Sequence, residues 1–223
     1  KVSKKYKYKS VKFGNNVLIG KSVKIGKNSI IGSNTIIEKN VIIGKKCVIG
    51  SDVIIKNTII GDSVVIQDGC KIGQKGFGFI PLKNKNFKFP HVGKVVIEND
   101  VEIASNCTID RGSVDDTKIS RNTYLDNQVH LAHNVKIGKH CAIAGQVGIA
   151  GSAIIEDYCV FGGQVGIGGH IKIGKGVQAG GQSGITKSIT DGKKVSGTPA
   201  IPLNDYHRKS ILIKKLIKNK GKN

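Results

Sequence analysis

NVKIGKHCAIAGQVGIAGSAIIEDYCVFGGQVGIGGHIKIG, residues 134–174, sets a large apolar side chain at every sixth position: Ile137, Ile143, Ile149, Ile155, Phe161, Ile167 and Ile173. A period of six matches neither the 3.6-residue turn of a helix nor the two-residue alternation of a long strand. It fits short strands joined by tight turns, three to a coil, in a parallel β-solenoid with neighbouring coils roughly 4.8 Å apart. Each coil then uses eighteen residues.

Working outward, the register extends back through Leu131, Leu125 and Ile119, jumps ten residues to Ile109, Ile103 and Ile97, and runs forward to Ala179 and Ile185. An earlier block runs Ile19, Ile25, Ile31, Ile37, Ile43, Ile49 and Ile55, then slips one residue to Ile60, Ile66 and Ile72. Two positions before each anchor stand small or β-branched residues such as Val41, Thr35, Val135 and Ala153. Strand side chains two apart share a face, so anchor and companion together fill a narrow triangular interior. Gly, Asn, Asp and Lys between them supply turns and solvated edges. Cys47, Cys70, Cys107, Cys141 and Cys159 all fall on companion positions and read as small buried hydrophobes. An odd count without a CxxC pair, and no secretory signal, points to a reducing cytoplasm rather than disulfides or a thiolate metal site. No apolar run approaches the roughly 20 residues of a membrane span.

The 36 Lys and Arg against 15 Asp and Glu give a net charge of +21. Such a charge raises nucleic acid as a partner. Much of the Lys falls on outward repeat positions, however, and six Phe, five Tyr and no Trp leave little for base stacking. The composition reads as bias, or as attraction to an acidic protein or an anionic membrane surface, with peripheral membrane contact at most. The chain contains no Met, position 1 included, which suggests a piece of a longer protein.

Three interruptions divide the chain. A basic lead-in covers residues 1–10, and the solenoid covers 11–190 with an inserted Phe-rich loop at 74–94. A second insertion runs from Asp110 to Lys118, and a C-terminal extension, 191–223, carries a short basic helix that Asn204 or Asp205 can cap. Phe77, Phe79, Phe87 and Phe89 could shield the groove or touch substrate, but packing over the solenoid is their expected role. Gly180, Gly181, Ser183 and Gly184 leave room beside the last coils.

Six segments narrow the reading further. They are GFGF at Gly76–Phe79, TIDRGSVDDT at Thr108–Thr117, DNQVHLAHNVKIG at Asp126–Gly138, AGQVGIAGS at Ala144–Ser152, GGHIKIG at Gly168–Gly174 and SGTPA at Ser196–Ala200. In this order the chain resembles the hexapeptide-repeat acyltransferases of lipid A biosynthesis that N-acylate UDP-3-O-(3-hydroxyacyl)glucosamine. The resemblance implies a left-handed parallel β-helix, all-β apart from the C-terminal α-helix, and a homotrimer with active sites in clefts between subunits. It implies no cofactor beyond the donor, the phosphopantetheine thioester of acyl carrier protein, and an acceptor that is a UDP-amino-sugar. An N-terminal domain that holds the uridine has no counterpart in this sequence.

By the same resemblance His133 is the general base, and imidazole titrates in the range that aminolysis of a thioester needs. Taken alone, a histidine two after an anchor reads as a solvated surface residue. The spacing adds an independent observation: Gly151 lies eighteen residues on, one coil further along the same corner. The family uses that glycine's amide to stabilise the oxyanion. Asp126 is a possible orienting carboxylate on a different corner, reached more easily across a subunit interface, while Asn134 and His170 are expected substrate contacts. His170 stands roughly 10 Å along the axis from His133. A zinc site on His130, His133 and His140 is the disfavoured alternative, because the three positions do not converge in one subunit. Two other readings stay open: a nucleotide-sugar acyltransferase that uses acyl-CoA, and a purely structural or ice-binding solenoid, against which stands the absence of Thr ladders on one outward face. The basic tail is a docking site for acyl carrier protein or a solvated cap on the solenoid end.

Overall fold

The computed structural model describes residue 8, residues 10–197 and residues 202–220. Most of the lead-in and the Thr198–Ala200 part of the SGTPA segment lie outside the described residues. The repeats wind into three parallel sheets of ten, nine and eight strands, here called A, B and C. Successive strands visit A, B and C in turn: Tyr124–Leu125 lies in A, His130–Leu131 in B and Lys136–Ile137 in C. Leu131 then pairs with Ile149, one coil away, and Ile149 with Ile167.

The anchors fill the prism, and Ile31 through Ile173 are buried almost completely, as are all five cysteines, which are free thiols. Polar companions are buried too, and each finds a backbone partner. Ser29 Oγ donates to the Gly44 carbonyl at 3.0 Å, Thr35 Oγ1 to Gly50 at 2.8 Å and Thr123 Oγ1 to Gly138 at 2.8 Å. A buried hydroxyl is tolerable only with such a bond. Each corner turns through a residue in the left-handed region, for example Asn34, Asn122, Asn134 and Ser152. Asn enters that region at lower cost than most residues, which favours it at many of these corners.

The interruptions leave the register intact. The one-residue slip pairs Ile43 with Ile60, and the long insertion pairs Ile60 with Ile97, so both flanks stay aligned. Across the second insertion Ile97 pairs with Ile119. The 74–94 segment contains an antiparallel hairpin, Phe79–Leu82 against Lys85–Lys88, all of whose residues are exposed. Phe77, Phe79, Phe87 and Phe89 are all exposed. A two-stranded ribbon has no second layer in which to bury both faces. At the C-terminus the expected helix, α1, spans Leu203–Lys220, with Asp205 in its first turn. No helix among the described residues is long and apolar enough to cross a membrane.

Candidate active site

His133 occupies the corner where the chain leaves sheet B for sheet C. Its neighbour Asn134, at φ 63°, makes the turn and also holds the ring. Asn134 Oδ1 lies 2.9 Å from His133 Nδ1, and the same oxygen accepts from the Ser113 amide at 3.1 Å and the Ser113 hydroxyl at 2.8 Å. The Asn134 amide nitrogen donates to the Asp115 carbonyl at 2.8 Å. Both ends of the side-chain amide are therefore fixed, Oδ1 can only accept, and His133 must carry its proton on Nδ1. In the neutral ring this tautomer leaves the lone pair on Nε2, the form a general base uses.

Gly151 stacks on that imidazole. A β-carbon on Gly151 would stand 2.8 Å from both Cε1 and Nε2 of His133, closer than side chains approach. The corner ladder bonds Ala150 to Ile167 and Ser152 to His133, leaving the Gly151 amide between them outside the ladder. His170 turns the next corner, its amide bonded to the Gly151 carbonyl at 3.1 Å, and its side chain lines the same cleft as His133. Asp126 is elsewhere: its carboxylate accepts the backbone and side-chain N–H groups of Asn127 at 2.7 and 2.8 Å, on the corner between sheets A and B. Within one chain it does not orient His133; Asn134 does. Asn134, an expected substrate contact, lines the cleft and has its side chain hydrogen-bonded to Ser113, Asp115 and His133.

The three histidines of the zinc alternative are held apart. His130 Nδ1 pairs with Thr108 Oγ1 at 2.8 Å, while His140 pairs with Asn122 at 2.7 Å and stacks on Tyr158 at a corner of its own. Among the described residues no three His, Cys, Asp or Glu side chains stand together as a metal site would need.

The two insertions build the rest of the wall. The amides of Val92 and Gly93 donate to the Ser113 carbonyl at 2.7 and 2.9 Å, and the Lys94 amide to Asp116 Oδ1 at 2.7 Å. Arg111 Nε holds the His91 carbonyl at 2.9 Å. These bonds seat His91 edge-on against His133, with ring centroids 5.2 Å apart. His91 is a site residue that sequence reasoning missed, since nothing in its local spacing distinguishes it. Its Nδ1 donates to the Phe89 carbonyl at 3.1 Å, and its Nε2 is buried without a partner. Burial holds its pKa below that of an ordinary imidazole. Burial also pushes the Asp110 carboxyl above the usual carboxylate range, against the pull of His130 and His133.

Two clefts meet at His133. One, of about 650 Å³, opens toward sheet C and includes Asn134, Lys136, Ser152 and His170. The other, of about 520 Å³, runs over sheet B above Gly148, Gly166 and Gly184, which stack in register. A β-carbon on any of these three would meet nothing within 4 Å, so the glycines hollow out a trough.

The GMPPB C-terminal domain family matches residues 10–76, and the bacterial transferase hexapeptide (six repeats) family matches residues 116–151. UDP-3-O-acylglucosamine N-acyltransferase of Rickettsia conorii is 55% identical over 150 residues, covering 67% of this chain and 43% of the relative. Its counterpart in Rickettsia bellii is 53% identical over 154 residues, covering 69% and 45%. Over two-thirds of its length the chain is similar in sequence to proteins of that name. The chain spans less than half the length of the curated relatives it matches. UDP-N-acetylglucosamine acyltransferase of Campylobacter jejuni shares the fold, with a TM-score of 0.75 at 22% identity over 93% of this chain and 85% of that one. The Francisella novicida enzyme gives 0.58 at 25% identity over 90% and 70%. The fold is a left-handed parallel β-helix of hexapeptide repeats.

Proposed function

We propose that this chain carries the acyl-transfer site of a UDP-3-O-acylglucosamine N-acyltransferase, moving a 3-hydroxyacyl group from acyl carrier protein to the 2-amino group of the acceptor in the cytoplasm. The observation that carries the reading is the stacked pair of His133, with a bare Nε2, and Gly151, whose missing side chain leaves the space beside it. Homology to proteins of that name supports the substrate class.

The amine attacks the thioester carbonyl while His133 Nε2 takes its proton. The tetrahedral oxyanion is met by the Gly151 amide, which approaches closely because no β-carbon intervenes. Collapse breaks the C–S bond, and the imidazolium returns the proton to the departing sulfur. The glycine trough accommodates the acyl chain; the cleft beside Lys136 and His170 suits the polar acceptor. No cofactor takes part beyond the donor's own phosphopantetheine. The assembly is a homotrimer, in which Asp126 of one copy has access to a neighbour's site.

Mass spectrometry of the product formed from 3-hydroxyacyl carrier protein and UDP-3-O-acylglucosamine tests the transfer, and a parallel acyl-CoA donor tests the carrier. His133→Ala is expected to lower turnover by about 10²- to 10⁴-fold, the range of general-base catalysis, with the circular dichroism spectrum unchanged. Normal turnover in that variant would remove the mechanism. For the carrier, Arg208→Glu with Lys209→Glu on α1 should slow transfer from carrier-bound donor and spare a free pantetheine thioester. Equal loss with both donors would reject docking at α1.

A further inference from the structure

His133 and Phe77 are the two residues that line both clefts. His133 is central to the chemistry; Phe77 has no assigned part in it. Its flanks are fixed. A β-carbon on Gly76 would stand 2.8 Å from His133 Cβ and 2.9 Å from His91 Nε2, and one on Gly78 would stand 2.7 Å from His91 Cε1. The two glycines thus let the loop backbone rest directly on both imidazoles, so the point from which Phe77 springs cannot shift far. The ring itself is 84% exposed, touched edge-on by Phe79 at 4.9 Å between centroids. A phenyl group in water beside an imidazole is unfavourable in proportion to its apolar surface, and burying it would recover most of that. It stands where an acyl thioester must pass between the trough and the base.

We infer that Phe77 is the specificity residue that decides whether amine or water attacks: its ring folds over the thioester seated in the trough and shuts water out of the junction. This rests on the acyl-transfer reading above. In the productive reaction the amine forms the N–C bond, the C–S bond breaks, and the amine proton reaches sulfur through His133. In the side reaction water forms the O–C bond instead, and the products are the free 3-hydroxy acid and the same thiol. His133 serves either nucleophile, so water must be excluded by shape rather than by chemistry.

Two experiments test this on the full chain. The first measures free acid against N-acylated product from one acyl-pantetheine donor. Phe77→Ala should raise the hydrolysed share about tenfold or more, an effect worth about 1.4 kcal/mol between the two barriers. Phe77→Leu should restore most of the balance. His133→Ala should lose both products together, which separates failure of the base from failure of the shield. An unchanged ratio in Phe77→Ala, or an equal fall in both products, would overturn the inference. The second uses the absence of tryptophan from the chain. In Phe77→Trp the single indole should shift to the blue and resist acrylamide quenching when a non-cleavable acyl-pantetheine thioether is added, and not when UDP-glucosamine is added alone. An indole already shielded in the free protein, or indifferent to the thioether, would equally overturn it.

Discussion

Asn134 shows how much a single residue can decide. One side chain closes the corner in the left-handed conformation, takes the proton-bearing nitrogen of His133 and ties the Gly112–Asp116 loop through Ser113 and Asp115. Asn134→Ala is therefore expected to lower kcat by about tenfold to a hundredfold, part of what a general base supplies, with KM little changed. Steady-state kinetics separate the two parameters. Gly151→Ala should cost about a hundredfold or more in kcat, because the new methyl collides with the His133 imidazole and crowds the space beside the Gly151 amide that the oxyanion would fill, while the solenoid stays folded. His91 bears on stability. An unfolded histidine titrates near pH 6.5, and burial sets the folded value lower. As the pH falls below 6.5 the unfolded chain binds the proton first, so stability declines until the folded pKa is passed and is fully present only above 6.5. Urea midpoints at pH 7.5 and pH 5 should differ less in His91→Gln than in the parent.

At the scale of the element, the coil is stabilised from inside and stapled along its corners. The interior term dominates. Ile143 is buried in sheet A between the rungs of Leu125 and Phe161, and Ile143→Ala is expected to cost about 2–5 kcal/mol in urea unfolding. On the corner between sheets A and B, Gln128, Gln146, Gln164 and Gln182 form an amide ladder, the Nε2 of Gln146, Gln164 and Gln182 each donating to the Oε1 of the glutamine one coil before it at 2.7–3.0 Å. Gln146→Ala interrupts that ladder in the middle, yet both freed neighbours reach water, so about 0.5–1.5 kcal/mol per bond is an upper figure. The same unfolding measurement ranks the two variants. A larger loss from Gln146→Ala than from Ile143→Ala would reverse this order.

For the whole molecule, surface chemistry sets the associations. The outward row of sheet A carries Ile30, Val48, Tyr124 and Val160, each 41–48% exposed, along a line that Glu102 interrupts between Val65 and Tyr124. A row of this kind is what the proposed trimer would cover. Val160→Lys should shift the sedimentation of the chain toward the monomer. The net charge of +21 should make transfer from an acidic carrier fall as salt rises, while transfer from uncharged pantetheine thioester stays flat.

The six-residue anchors and their companions, read without coordinates, were enough for the coil, the three-sheet prism, the burial of all five cysteines and the stacking of Gly151 on His133. A regular repeat makes every such position a matter of counting, because each residue's neighbours lie one period away. The two insertions obey no period. Their meeting through Val92, Gly93, Ser113 and Asp116, the seating of His91 against His133, and the exposure of the Phe79–Lys88 hairpin follow from contacts between segments that share no repeat. Only the tertiary structure could decide them, since a loop's path depends on which partners fold beside it and not on its own pattern. The sequence determined the prism and the pair on its corner; the assembled molecule decided which side chain orients the base and what walls surround it.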